Sequence, residues 1–379
     1  MPAEISARIL KSANALTAAQ WDACAGTGNP FLLHAFFTAV EDSRSACTDT
    51  GWQPVHLVID GADGAPAAIM PNYLKSHSQG EYVFDHGWAD AWHRAGGNYY
   101  PKLLAAVPFT PATGPRLLLR DPALAPALLA AAETLTRANQ LSSAHANFIS
   151  PEQVADFEAA DWLIRTDQQF HWFNDGYTSF DDFLGRLSSR KRKTIRRERS
   201  EALANGITVE HLTGADLTEA HWDAFWVFYQ DTGARKWGRP YLTRQFFSLL
   251  GERMADRVLL MLAKHEGRYI AGALNLIGDD CLYGRYWGAT VEVPFLHFEL
   301  CYHQAIDWAI THGLARVEAG AQGAHKLARG YRPTPTYSAH YIPDPGFREA
   351  VARYLEAERR AVAAEIEALG EMAPFKRSD

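Results

Sequence analysis

The sequence predicts an α/β protein made of two halves with the same order of elements. Runs rich in β-branched and aromatic residues alternate along the 379-residue chain with segments of helical periodicity. Each half shows helices, a three-strand meander, a helix and a strand, a mixture typical of α/β domains. No residue-level repeat accompanies this order, so the halves are similar in pattern only. We favour duplication of one domain, with two unrelated α/β domains as the alternative.

The first half, over residues 1–165, begins with a mainly helical segment and continues as short strands separated by turn residues. The turn at Gly61–Gly64 separates two apolar runs, and Pro122 lies near the first turn of an alanine-rich helix, where proline is tolerated. The predicted elements are a helical segment 3–50, strands 54–59, 66–75 and 81–85, a helix-forming stretch 86–107, a strand 117–119, a helix 121–140, and strands 145–149 and 162–173.

The second half, over residues 166–345, repeats the pattern, and a Glu/Arg/Ala-rich C-terminal helix over 346–379 follows it. Gly278-Asp279-Asp280 joins two apolar runs as a hairpin turn would, and Gly313 ends the helix that comes next. The short strand after that helix is expected to lie parallel to its neighbour. The predicted elements are a helix 180–205, a strand 207–212, helices 219–233 and 242–254, strands 258–265, 268–277 and 281–290, a helix 294–312, a strand 317–319 and the final helix 346–372.

The composition indicates an ordinary globular protein. Hydrophobic residues make up 47% and charged residues 21% of the chain, and the net charge of −7 gives no global attraction to nucleic acid. The four cysteines form no CxxC pair, which favours reduced thiols in a cytoplasmic protein over disulfides or zinc. Neither a signal-like segment nor an apolar run of about 18 residues occurs, so we expect neither secretion nor integral membrane association.

The sharpest functional signal is the glycine-containing loop that follows strand 317–319. Glu318 lies in that strand, and His325, Lys326 and Arg329 follow in the loop. α/β proteins commonly hold their ligands at such strand ends. Lys326 and Arg329 share a face if the loop forms a helical turn, and a cation there can stabilise an oxyanion or a bound phosphate. The alternative is a glycine-rich turn with surface cations.

Arg285 alternates with Tyr283 and Trp287 on a predicted strand, so the three side chains share one face. An arginine that faces inward requires an anionic partner or an aromatic stack. We interpret Arg285 and Trp287 as ligand-binding residues, and an ion pair across the sheet with a nearby carboxylate is the alternative for Arg285. Arg235 and Lys236 belong to a polar segment suited to a substrate-binding lid.

The segment from Arg190 to Arg199 contains seven basic residues among ten. On a helix, Arg192 and Arg196 lie together. Like charges at this density repel one another, which favours contact with phosphates. The alternative is a solvated helix face.

The first half contains a polar cluster of its own, in which Lys75, Asp85 and His86 are candidate ligand-binding residues. His171, which is flanked by aromatic residues, is expected to face the cleft between the domains. The HxH, HExxH and Cys/His spacings of metal sites are missing, so no metal is expected.

The sequence argues against hydrolase chemistry, because GxSxG is missing and no serine or cysteine stands out beside a base. Direct attack of an amine on an activated acyl group needs no protein nucleophile. It needs positioning, a base and stabilisation of the oxyanion. The candidate residues are therefore compatible with acyl transfer.

Many long motifs resemble one family. They include YVFDHGWADAW, QFHWFNDGY, SRKRKTIRRER, RKWGRPYLTRQFF, LYGRYWGA, PFLHFELCYHQAIDWAI and VEAGAQGAHKLARGY. By these motifs nearly the whole chain resembles the FemAB-like family of peptidoglycan biosynthesis/recognition, within the GNAT acyltransferase superfamily. The resemblance implies two tandem GNAT-like domains, with mixed sheets flanked by helices.

The resemblance also implies transfer of an acyl or aminoacyl group, from acyl-CoA or aminoacyl-tRNA, to an amine acceptor such as a peptidoglycan precursor. Lys326 matches the lysine of the Fem FKxxFG segment, which lies at the substrate phosphates, although the segment here is HKLARGY and its tyrosine, Tyr331, is at a shifted position. The basic helix matches a Fem segment and is the expected contact for tRNA. Acyl-CoA is favoured as donor, because the net charge is negative and the helical-hairpin insertion of some Fem ligases is absent.

The leading hypothesis is therefore an N-acyltransferase with a small-molecule or peptide amine as acceptor. Glu318 or His325 takes the amine proton, and Lys326 offsets negative charge. Arg285 and Arg329 hold anionic groups of the donor or acceptor. The alternative is a non-catalytic recognition module that binds a cell-wall precursor or another anionic ligand.

Overall fold

The chain divides into two units whose limits differ from the predicted domain boundaries. The computed structural model describes residues 6–236, 240–320 and 323–376, apart from the side chains of residues 232–236 and 324. The first unit comprises the described residues up to Asp167 together with Pro335–Ala364, and the second comprises Gln168–Thr334 and the described residues from Glu365 onwards.

The elements from the start of the chain to the boundary strand are β1 (Ala7–Leu10), α1 (Ala18–Ala25), α2 (His34–Asp42), β2 (Trp52–Pro54), β3 (His56–Asp60), β4 (Pro66–Met70), β5 (Asn72–Lys75), α3 (His86–Arg94), β6 (Lys102–Ala105), β7 (Leu118–Leu119), α4 (Ala125–Ala138), β8 (Ala144–Ile149), α5 (Val154–Ala159) and β9 (Leu163–Phe173). The remaining elements are α6 (Phe180–Arg186), α7 (Ser189–Ala202), β10 (Thr208–Leu212), α8 (Glu219–Lys236), α9 (Arg244–Met254), β11 (Val258–His265), β12 (Arg268–Ile277), β13 (Cys281–Ala289), α10 (Leu296–Phe298), α11 (Gln304–Thr311), β14 (Arg316–Glu318), β15 (Arg332–Tyr341) and α12 (Pro345–Glu371).

The first unit contains two groups of strands. β1, β3, β4 and β7 form an antiparallel sheet in that order, and β15, β8, β6, β5 and β2 are neighbours in the other group. Ala144–Ile149 pairs antiparallel with the end of β15, and the first part of α12 buries Phe347, Val351 and Leu355 against Trp88. These contacts explain why residues 335–364 belong to the first unit, although the sequence places them partly in the second domain.

Several elements predicted for the first unit are wrong, either in where they end or in whether they are helix, strand or loop. The predicted strand 66–75 is broken at Pro71, since proline cannot donate to a strand ladder. The predicted strand 81–85 is a loop, in which Tyr82 has φ 59°. The helix-forming stretch 86–107 is helical only over α3 and then forms β6, which pairs with β5 and β8.

The second unit is built on strands in the order β10, β11, β12, β13, β14 and the second part of β9. The hairpin of β12 and β13 at residues 278–280 is confirmed, and so is the parallel pairing of β14 with β13. A helical crossover connects the two parallel strands, as parallel pairing requires. The pairing of β13 with β14 ends at Tyr283 and Glu318. β13 continues beyond this point to Ala289, so the two strands are no longer paired there. The open end between these two strands positions the candidate site.

Helical irregularities in the second unit depart from the predicted continuous helices. The single helix predicted over 180–205 is in fact two helices, α6 and α7. The chain leaves the helical path between them, because Leu187 is buried and the N–H of Ser188 donates to Pro374 O at 2.9 Å. Between α10 and α11 the helix widens into a π-turn, Glu299–His303.

None of the helices within the described ranges combines the length and the apolar character that crossing a bilayer requires.

Candidate functional site

The end of β14 brings together several residues of the expected active site. Glu318 is the last residue of this strand and is buried. Arg285 of β13 lies with its Nη2 4.0 Å from Glu318 Oε2, and Arg316 Nε lies 3.4 Å from Glu318 Oε1. On the opposite side, His171 of β9 pairs in register with Glu318. Three strands, β9, β13 and β14, thus place a carboxylate, a guanidinium and an imidazole at one sheet end.

A β-bulge directs Arg285 to this position. Asn275 of β12 pairs with Gly284 and Leu274 pairs with Tyr286, so Arg285 is the extra residue in β13. Burial lowers the pKa of Arg285, while Glu318 opposes this effect. The structure therefore shows Arg285 beside the carboxylate of Glu318, which is the alternative interpretation of Arg285, an ion pair across the sheet.

His171 is buried, and its Nε2 lies 3.2 Å from Gln169 Oε1. Burial lowers the pKa of His171, although the nearby carboxylate of Glu318 acts in the opposite direction. A neutral imidazole at this position can exchange hydrogen bonds with a ligand but adds no charge to the site.

Lys326 lies in the 3-10 turn Ala324–Arg329, so the loop does form the helical turn that the sequence allows for. Its side chain is 2% exposed, and Nζ donates a hydrogen bond to Gly320 O at 2.7 Å. No carboxylate in the described part of the chain forms an ion pair with Lys326. Burial, and secondly the charge of Arg285, lower the pKa of Lys326 to about 7. A buried ammonium without a counterion is costly, so a bound anion would stabilise it.

Arg329 is engaged by the protein itself. Its Nε and Nη2 donate to the two carboxylate oxygens of Glu198 at 3.1 and 2.7 Å, and its Nη1 donates to His325 O at 2.8 Å. The guanidinium also lies over the ring of Phe298, 3.5 Å from its centroid. The role expected of Arg329, holding an anion of the donor or acceptor, does not fit this geometry.

Aromatic side chains surround His325, which is exposed. Its Nε2 lies 2.8 Å from the Tyr302 hydroxyl, which orients the imidazole. The Tyr302 ring also contacts the rings of His297, Phe298 and Tyr331. Trp287 joins this aromatic group through its contact with His297. The buried Tyr331 hydroxyl has no hydrogen-bond partner within the described ranges.

The basic segment lies on α7. Arg196 pairs with Asp181 at 3.0 Å on the surface, whereas Arg192 is half-buried and forms no ion pair with a described residue. Arg199 faces inward instead and pairs with Glu299 at 3.2 Å. The first turn of α7 contains no acidic residue, so its cations add to the positive end of the helix dipole. This surface is therefore favourable for anions.

The segment predicted as a lid is helical at its start, since α8 extends to Lys236. The side chains of Arg235 and Lys236 lie outside the described residues, as do residues 237–239.

In the first unit, Lys75 and Asp85 belong to an internal ion network. Lys75 and Lys102 are opposite each other on β5 and β6, and both are fully buried. Lys102 Nζ donates to Ser78 Oγ and Glu81 Oε2, each at 2.8 Å, and to Asp85. Burial opposes a charged Lys102, but the two carboxylates hold its pKa above the usual value. The ligand-binding role expected of Lys75 and Asp85 therefore does not fit this geometry. Asp85 is a counterion of the buried Lys102, and Lys75 Nζ lies 3.9 Å from the buried carboxylate of Glu81.

The network continues to two buried histidines. Tyr99 donates to Asp85 at 2.7 Å, and its hydroxyl lies 3.3 Å from His145 Nε2. The Nδ1 atoms of His145 and His340 are 2.7 Å apart. Burial lowers the pKa of His145 to about 3, so this ring stays neutral. His86, by contrast, is exposed at the start of α3.

Sequence reasoning missed Glu198, Arg316 and Tyr302 as site residues. Glu198 carried a usable signal, because with Ile195 and Ala202 it has the i, i+3, i+7 spacing of the buried face of α7. Within residues 6–236, 240–320 and 323–376, no three His, Cys, Asp or Glu side chains come together as a metal-ligand set.

The fold and the position of the site define a class of protein: two α/β units with mixed sheets flanked by helices, and a polar site at the end of a parallel strand pair in the second unit. Two solved structures are similar. FemX matches with a TM-score of 0.55 at 14% identity, covering 89% of this chain and 98% of its own. L-PGS from Bacillus licheniformis matches with a TM-score of 0.51 at 10% identity, covering 93% of this chain and 99% of its own.

The FemAB-like family model, described as peptidoglycan biosynthesis/recognition, matches residues 12–377. The chain belongs to this family. None of the curated proteins matches the sequence.

Proposed function

We propose that the protein is a cytoplasmic N-acyltransferase, which transfers an acyl or aminoacyl group from acyl-CoA or aminoacyl-tRNA to the amine of a small molecule or peptide. The observation that carries the proposal is Lys326, a buried lysine that pairs with no carboxylate of the described residues and lies beyond the open end between β13 and β14. A donor phosphate or the oxyanion of acyl transfer would supply the missing negative charge. The family description favours a peptidoglycan precursor as the acceptor.

In the proposed reaction the amine nitrogen attacks the carbonyl carbon of the donor. The bond from that carbon to the thioester sulfur or ester oxygen breaks, and the leaving thiol or hydroxyl receives a proton. Glu318 or His325 takes the proton that the amine loses, directly or through water. Lys326 donates to the oxygen of the tetrahedral intermediate. Arg316, whose Nε donates to Glu318 Oε1 at 3.4 Å, orients the carboxylate, and Arg285 adds a second cation 4.0 Å from Oε2.

The test is thermal unfolding of the purified chain with acetyl-CoA, CoA, an aminoacyl-tRNA and a UDP-linked muropeptide. A ligand that binds only the folded state adds about 2.7 kcal/mol at about 100 times its Kd. A shift with the CoA species assigns the donor class, and a shift only with tRNA or muropeptide favours a Fem-like ligase. Binding of muropeptide without turnover of any donor would support a recognition module. No shift with any of the four ligands contradicts the proposal.

Reversing three cations of α7, with Arg192→Glu, Arg196→Glu and Arg197→Glu, is expected to weaken binding of phosphate-bearing ligands. For tRNA, the slope of log K against log salt should become shallower by about two to three, since each lost phosphate contact removes roughly 0.7–0.9. Binding is measured at several salt concentrations between about 50 and 200 mM.

The matched control reverses three exposed arginines of the first unit, Arg94, Arg353 and Arg360, and changes the net charge equally. Equal weakening by the control would show that α7 is only a solvated surface.

A further inference from the structure

α7 has a second face, which differs in charge from its exposed one. Ile195, Glu198 and Ala202 are buried, and Glu198 is the carboxylate among them. Both oxygens of Glu198 accept hydrogen bonds from Arg329. Glu198 Oε2 also lies 3.2 Å from His303 Nε2, in the π-turn. One carboxylate therefore contacts side chains from two other segments.

These contacts place Arg329 in a fixed geometry. A bidentate pair between a guanidinium and a carboxylate is among the strongest hydrogen-bond arrangements in proteins. The remaining Nη1 donates to the backbone oxygen of His325, and the guanidinium plane lies on Phe298. Every nitrogen of the guanidinium is thus used within the second unit.

The turn that Arg329 closes is the one that carries Lys326. The N–H of Lys326 donates to Gly323 O at 3.0 Å, and the N–H of Gly330 donates to Leu327 O at 3.1 Å. These are the bonds of a single short turn, and a 3-10 turn of this length is weak alone. The Glu198–Arg329 pair adds a charged anchor between its last residue and α7.

We propose that Glu198 is a positioning residue, which holds the turn Ala324–Arg329 against α7 through Arg329 and so fixes Lys326 at the site. The effect of Glu198 on catalysis rests on the proposed function. Its effect on the stability of the turn does not depend on the proposed function. The basic helix thereby has two functions on two faces: its exposed cations meet anions, and its buried carboxylate supports the site.

The pair differs from the surface ion pairs of the same helix. Glu201, three residues later, is exposed and pairs with Arg197 at 3.5 Å, an arrangement that contributes little to stability. The side chains of Glu198 and Arg329 are each only 7% exposed. Removing one partner of a buried pair leaves the other charge without compensation, which is costly. Glu201→Gln is therefore the matched control for Glu198→Gln.

The first experiment is hydrogen exchange of the full-length chain, read on peptides that span residues 323–331. Glu198→Gln should speed exchange of this segment about 10-fold or more, because a charge-assisted bond is replaced by a neutral one. Glu201→Gln should leave it unchanged. If Glu198→Gln leaves exchange of the segment at the wild-type rate, the proposal is overturned. Glu198→Gln is chosen over Glu198→Ala because it retains the side-chain volume and one acceptor oxygen, so the variant removes the charge without opening a cavity.

The second experiment separates positioning from general destabilisation. Glu198→Gln should lower kcat about 10-fold with the donor Kd unchanged, and in a Lys326→Met background it should cause no further loss, because Glu198 acts through Lys326. A kcat effect of the same size in both backgrounds overturns the positioning role. If the wild-type protein turns over none of the donors, the proposed function fails, and hydrogen exchange alone then decides whether Glu198 holds the turn.

Discussion

Replacing Lys326 with methionine is expected to lower kcat by about 100-fold or more while the donor Kd changes by less than about threefold. The reason is that an oxyanion donor acts mainly in the transition state, and loss of one such donor costs about 10²–10³ in kcat. Methionine retains most of the length and apolar contacts of the buried stem, so the variant removes the ammonium without opening a large cavity. The measurement is steady-state kinetics together with direct donor binding.

The pH profile provides a second readout of the same residue. Because burial lowers the pKa of Lys326 to about 7, its ammonium is present below that pH and is lost as the pH rises through it. If Lys326 acts as a cation, kcat/KM should therefore fall above about pH 7, since this parameter reports the free enzyme. Because the ammonium contributes little to donor affinity, donor binding leaves the pKa of Lys326 near this value, and kcat should fall over the same pH range. In Lys326→Met both decreases should disappear.

The control for Lys326 is Lys264→Met, which removes an ammonium from a half-exposed pair with Glu210. This variant should keep the wild-type kcat and pH profile. Equal loss of kcat and donor affinity in Lys326→Met would contradict a transition-state role. A rate that rises through pH 7 would instead make the neutral amine of Lys326 the proton acceptor.

Replacing Lys102 with methionine is expected to destabilise the first unit by about 3–5 kcal/mol, the usual effect of breaking a buried ion pair. Lys102 is the shared counterion of Glu81 and Asp85, all three side chains are buried, and the variant leaves two carboxylates without it. Urea unfolding measures the change, and hydrogen exchange of peptides from β5 and β6 assigns the transition to the first unit.

Two comparisons make this expectation specific. Arg8→Met removes a cation from the half-exposed pair with Asp60 and should cost less than about 1 kcal/mol. Adding Glu81→Gln and Asp85→Asn to Lys102→Met removes the two uncompensated carboxylates. Burial already lowers the pKa of Lys75 to about 7, so this neighbour can lose its proton when its carboxylates are gone, and the triple variant should restore at least half of the lost stability. A loss below about 1 kcal/mol in Lys102→Met would show that the carboxylates accept protons or solvent at little cost.

The sequence predicts those helices and strands correctly whose local residue pattern agrees with their packing in the folded protein. The hairpin at residues 278–280, the parallel strand β14 and the long helix α12 follow from turn residues and periodicity. The sequence predicts no strand over Arg332–Tyr341, where Pro333 and Pro335 are unfavourable for a strand interior, yet β15 forms there. Its later residues nevertheless pair with β8. Here tertiary pairing overrides a local signal.

The same division applies to the site. Glu318 and Lys326 stand out in the sequence because a carboxylate at a strand end and a lysine in a glycine loop are local features. The position of Arg329 in the same loop predicts a ligand-binding role, but its partner in the structure is Glu198, 131 residues away in sequence. Pairing over such a distance cannot be read from composition or spacing.

By itself, then, the sequence determined the α/β class, the order of most elements, the FemAB-like resemblance and the loop that carries Lys326. These depend on periodicity, turn chemistry and motifs, all of which are properties of short segments. The tertiary structure alone decided which charges face one another: Arg285 with Glu318, Arg329 with Glu198, and Lys102 with its carboxylates. The physical reason is that the cost of a buried charge depends on its neighbours in space, and those neighbours come from distant parts of the chain.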